Sequence, residues 1–139
     1  SEFPLSVRAR LRVERSADAK MRRVARPAYK DHPLWSEAMA LARDSYALAG
    51  RVKETEPDLA RSLKKASVAV PAQVAGALEV SGEKRRDHVA AAREALAELS
   101  RLGRHAREAG VAGADELVSR AEDFARSVLF ALGAGEFLC

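Results

Sequence analysis

From Asp31 to Leu132 the apolar positions return every three or four residues, the period of a helix face and not the alternation of a strand. Four segments carry this pattern. The first opens at Asp31-His32-Pro33, where Pro33 suits a first helical turn. Within it Trp35, Met39, Ala42, Tyr46 and Ala49 form one stripe, and Leu34, Ala38, Leu41, Leu48 and Val52 form a second beside it. An apolar face that wide predicts burial on more than one side, and hence contact between copies of the chain.

The second segment starts near Glu56-Pro57-Asp58 and follows Leu59, Leu63, Ala66, Val70 and Val74 to about Leu78. Pro71 falls inside it. A proline in a helix interior removes one backbone hydrogen bond, clashes with the carbonyl four residues earlier, and costs about 3 kcal/mol. The helical period continues on both sides of Pro71, so a kinked helix is expected there, with the Ser67 carbonyl deprived of its amide partner.

Ser81 is the expected N-cap of the third segment, with Glu83 in its first turn. Val89, Ala92, Leu96 and Leu99 line its seam to about Ala109, and Gly110 is the expected stop. Arg104, His105 and Arg107 suit the negative end of that helix. The fourth segment runs from about Asp115 to Leu132 through Leu117, Ala121, Phe124 and Val128. Four amphipathic helices with short connections predict an all-α, up-down-up-down four-helix bundle over residues 31–132, followed by a tail at 133–139.

Composition agrees. In 139 residues, alanine, leucine, arginine and glutamate dominate, and aromatics are few. That length suits one domain with a sizeable core. The net charge of +4 is unevenly placed. Residues 1–30 carry nine Lys/Arg against three Asp/Glu, whereas residues 31–139 carry fifteen against seventeen. The basic excess therefore belongs to an N-terminal arm, and the helical body is nearly neutral. Ser1-Glu2-Phe3 has the look of a cloning scar and Met21 that of a start, so the arm reads either as vector- or leader-derived or as a tail for nucleic acid or an acidic partner. The sole cysteine, Cys139, leaves no intramolecular disulfide, and neither a membrane span nor a secretory signal is legible. A cytoplasmic protein is expected.

Candidate chemistry is sparse. Di-iron bundles need Glu-x-x-His pairs, and none occurs. His32, His88 and His105 stand on separate segments without ligand spacing, and read as capping or solvent-exposed. Cys139 at a terminus has no scaffold to orient a base, and no Gly-x-Ser-x-Gly or phosphate-binding glycine loop is present. Glu94 and Glu98 alternate with Arg93 and Arg101, the pattern of a solvated helix face. Two basic clusters remain. Arg61, Lys64 and Lys65 lie on the side of the second helix away from Leu63, Ala66 and Val70. Lys84-Arg85-Arg86 opens the third helix, where cations oppose the macrodipole. Such side chains on rigid helices can neutralise phosphates.

The stretch LKKASVAVPAQVAGAL, followed after a short gap by HVAAAREALAEL, resembles the bacterial four-helix-bundle proteins encoded in 23S rRNA intervening sequences. Lys64 and Lys65 match that family's basic pair, Val70-Pro71-Ala72 its I-P-A core, and Gln73-Val74-Ala75 its N-I-A. HPLWSEAMALARDSYALA resembles the family's opening helix through Trp35, Ala38, Met39 and Tyr46. The departures are Gly76-Ala77 in place of Glu-Gly, His88-Val89 in place of an aromatic, and Glu94-Ala95 in place of Gly-Ser. The resemblance spans residues 31–132 and finds no counterpart for the arm. It implies a homo-oligomer, often a pentameric ring. It also implies kinship with accessory proteins of diversity-generating retroelements, whose basic surface engages nucleic acid and a reverse transcriptase.

The expectation is therefore a non-enzymatic homo-oligomer that binds RNA or DNA through Arg61, Lys64, Lys65, Arg85 and Arg86, without a cofactor or metal. Trp35, Tyr46 and Pro71 are assigned structural roles. The rival expectation is a scaffold that organises a protein partner such as a polymerase or reverse transcriptase.

Overall fold

A computed structural model describes residues 28–133; the basic residues of the arm before Ala28, and the tail with Cys139, lie outside that range. The described residues form four helices and no strand: α1 Pro33–Val52, α2 Pro57–Glu79, α3 Gly82–Glu108 and α4 Ala114–Val128. A 3₁₀ turn, Ala28–Asp31, precedes α1, and a π turn, Leu129–Gly133, ends α4. The fourth segment thus begins one residue before the expected Asp115, and its last turn loosens before Leu132.

Each boundary has a local cause. His32 caps α1: its Nδ1 accepts the Leu34 amide at 3.1 Å, and Pro33 occupies the first turn, where no amide partner is needed. Pro57 does the same for α2. Ser81 holds the N-cap position of α3 in extended backbone, but its hydroxyl makes no capping bond. At the far end of α3, Gly110 takes φ +78°, which only glycine adopts without strain. That turn lets the Gly110 amide reach the Arg107 carbonyl and the Val111 amide reach the Ala106 carbonyl, closing the helix.

The helices pack around one apolar core. Leu34, Leu41, Leu48 and Val52 of α1 meet Leu59, Leu63, Val70 and Val74 of α2. Leu96, Leu99 and Leu102 of α3 and Leu117, Phe124 and Val128 of α4 complete it. Consecutive helices pack most extensively, α1 with α2, α2 with α3, and α3 with α4; α1 and α4 also touch along a thinner seam. Pro71 is buried, and α2 continues through it to Glu79.

The three buried serines are all partnered. Ser45 donates to the Leu41 carbonyl at 2.7 Å, Ser67 to the Lys64 carbonyl at 2.8 Å, and Ser100 to Glu122 at 3.2 Å. Among the described residues no buried side-chain polar atom lacks a partner, which is what an interior held together by packing requires. No helix among them is long and apolar enough to cross a membrane.

Ties between the ends of elements fix the arrangement. Arg51, in the last turn of α1, donates to the Ala112 carbonyl at 3.0 Å in the α3–α4 turn. His105 of α3 donates to Glu56, just before α2, at 3.0 Å. Asp44 of α1 pairs with Arg120 of α4.

Candidate nucleic-acid interface

The five cations expected to bind nucleic acid divide into two groups. Arg61, Lys64 and Lys65 lie within about one turn on the outer side of α2, while Arg85 and Arg86 stand in the first turn and a half of α3. Twelve residues of α2 separate Lys65 from Ala77, the residue that Arg85 touches, which at the helical rise is about 18 Å. The structure does not merge the groups into one patch.

Within the first group, rotation of the helix turns neighbours apart. Successive residues differ by about 100° around the axis, so Lys64 and Lys65 flank Arg61 on opposite sides. Lys64 leans towards α1, where its Nζ stands 5.3 Å from the centroid of the Tyr46 ring. A cation over an aromatic face is held there by the ring quadrupole. Lys65 leans towards α3 and borders a surface furrow of about 500 Å³. Ala66, Ala69, Ala91 and Ala95 make the small-residue floor of that furrow, and Glu94 and Glu98 its opposite rim. Arg61 is exposed and pairs with Asp58 one turn earlier.

The acidic rim is partly neutralised. Arg101 donates Nε to Glu98 Oε2 at 3.0 Å. Hydrogen bonding and the charge of Arg101 hold the Glu98 carboxyl below the usual carboxylate range, and Glu98 in turn raises Arg101.

Arg85 has a second task that its place in the sequence does not suggest. Its Nε lies 3.0 Å from the Ala77 carbonyl and 2.9 Å from the Val80 carbonyl, so the guanidinium closes the C-terminal end of α2. The last turn of α2 carries no basic residue of its own. The orphan carbonyls at that end are met instead by a cation from the next helix, which the residues of α2 do not announce. Arg86 is exposed beside it.

The three structural positions are also distinct. Trp35 is half-buried and meets the Tyr29 ring edge-on, with centroids 5.2 Å apart and planes at 63°. Pro71 is in the core. Tyr46 is 49% exposed, although its apolar stripe includes the buried Ala42 and Ala49.

The histidines stand far apart in the chain, each with its own partner. His32 caps α1 and His105 bridges to Glu56, as described. His88 is half-buried, and its Nδ1 donates to Gln73 Oε1 at 2.8 Å while its ring lies against Gly76. At the α3–α4 junction Arg104 reaches both the Ser100 hydroxyl at 2.9 Å and the Glu122 carboxylate at 3.2 Å.

No protein-family model, curated protein or solved structure matches the chain.

Proposed function

We propose that the protein is a non-enzymatic, homo-oligomeric helical bundle of the 23S rRNA intervening-sequence family, and that it binds RNA or DNA through the outer face of α2. In this reading the helices run up-down-up-down, α2 bends at Pro71, and residues 1–30 form a basic arm that adds contacts. The end-to-end ties support that course: Glu56 before α2 meets the last turns of α3, and Gln73 near the end of α2 meets His88 in the second turn of α3.

The observation that carries the binding proposal is the disposition of Arg61, Lys64 and Lys65. Three cations project around one stretch of a packed helix, and neither lysine is tied to a carboxylate by an ion pair among the described residues. Cations placed so can meet successive phosphates without unfolding anything. Arg85 and Arg86, about 18 Å further along, make a second and separate contact at the start of α3 in this reading.

Charge reversal tests this. Lys64→Glu/Lys65→Glu in the full chain should weaken binding to a labelled RNA or DNA oligonucleotide and flatten the salt dependence. Each phosphate that is no longer neutralised lowers the logarithmic slope by about 0.7–0.9. Binding equal to that of the unaltered chain would remove the assignment.

A second reading rests on another observation. The body from residue 31 onward is slightly acidic, and Tyr46, Val68 and Phe130 are exposed apolar side chains on it. Those features suit a scaffold for a protein partner such as a polymerase or reverse transcriptase, in which nucleic-acid contact is incidental.

A further inference from the structure

Tyr46 is where the described surface combines an aromatic ring, open solvent and fixed positive charge. The ring belongs to α1, whose other faces are held by α2 and α4, so its position is set by packed helices and not by a loop. Half of the residue is exposed. Lys64 of α2 holds its ammonium 5.3 Å from the ring centroid, and the exposed Arg43 lies one turn before Tyr46 on the same side of α1. Val68, one turn after Lys64 on α2, is 55% exposed and extends the apolar surface.

We infer that Tyr46 is a stacking platform for an unpaired base, so that the ligand of the α1–α2 face is single-stranded nucleic acid. The inference rests on the proposed nucleic-acid binding and narrows it. A base in a duplex has both faces covered by its neighbours, and a single ring on a helix cannot reach them. An unpaired base offers a free π-face that any aromatic side chain can meet, whatever the sequence. Lys64 stands over one face of the ring, so the base takes the opposite face in this inference, with Lys64 and Arg43 as the cations for its flanking phosphates. A ring framed by Lys64 and Arg43 also suits an anionic polymer better than an apolar protein surface, which would have to bury those charges.

The test uses the full chain and two fluorescein-labelled probes, a 20-nucleotide oligouridylate and an RNA duplex of the same length. Tyr46→Ala should weaken oligouridylate binding about five- to a hundredfold, leave the salt slope unchanged, and leave duplex binding as it was. Tyr46→Trp should keep the affinity and show indole emission quenched by the oligonucleotide. Both variants alter an exposed position, and their melting curves should match the unaltered chain.

If Tyr46→Ala binds oligouridylate as well as the unaltered chain while Lys64→Glu/Lys65→Glu binds weakly, stacking is overturned and the binding proposal stands. If neither change affects binding, or none of the proteins binds either probe, both fall together. If Tyr46→Ala instead lowers the mass in light scattering, the ring belongs to a contact between copies, and the inference is overturned.

Discussion

A methyl group in place of the Gly76 hydrogen would lie 2.6 Å from the His88 ring, closer than real carbon contacts allow. To make room the imidazole must shift, which strains its contact with Gln73 Oε1, now at 2.8 Å. Two effects therefore oppose each other in Gly76→Ala. Alanine favours a helix interior over glycine by about 1 kcal/mol. Displacing the ring forfeits a hydrogen bond worth about 1 kcal/mol and adds overpacking of about 1–3 kcal/mol. Gly76→Ala should thus destabilise the protein by about 1 kcal/mol or more, and the same change in a His88→Ala background should stabilise it. Urea unfolding of the two single variants and the pair measures the coupling; independent effects would show that ring and glycine do not meet. The sequence displayed Gly76 as a departure from a family pattern, and the structure supplies a physical reason for a small residue there.

Among elements, the junction of α2 and α3 depends on Arg85. Removing it leaves the Ala77 and Val80 carbonyls without the guanidinium that now reaches both. Arg85→Ala should lower stability by about 1–2 kcal/mol, whereas Lys64→Ala and Lys65→Ala should stay within about 0.5 kcal/mol. Thermal melts compare the three directly, and equal melts would show that the guanidinium does not hold the end of α2. The helices themselves were legible because their apolar spacing is regular and their ends carry Pro33, Pro57 and Gly110. Arg85 was not legible as a cap, because it lies beyond the end of the helix it closes. Tyr46 was misleading for a related reason. Two adjacent stripes on α1 are equally apolar in sequence, but a helix in one chain meets neighbours on only part of its circumference. Leu34, Leu41 and Leu48 are covered, while Tyr46 lies largely open and Trp35 and Met39 are half-buried.

For the whole molecule, the half-buried Trp35 and Met39 of that stripe, three and two turns before Tyr46, are the physical ground for proposing assembly. Light scattering of the full chain should give a multiple of 15.0 kDa. The mass of a single chain at every concentration from micromolar upward would dispose of the homo-oligomer. The all-helical architecture with four helices was readable from periodicity, since each helix needs only its own residues to declare itself. The grouping of the binding cations was not readable, because it depends on how far α2 runs before α3 begins. Lys65 and Arg85 are 20 positions apart in the sequence, and the unbroken course of α2 keeps their groups about three turns apart.

The thin seam between α1 and α4 bears on the order of folding. The three richer seams join helices adjacent in the chain, so each can close as a local hairpin with a short loop and a small entropic cost. The fourth seam joins residues as far apart as Asp44 and Arg120, or Arg51 and Ala112. Of the described helices, α1 therefore leaves the ribosome well before α4, and the edge it turns towards α4 stays open until α4 has been made.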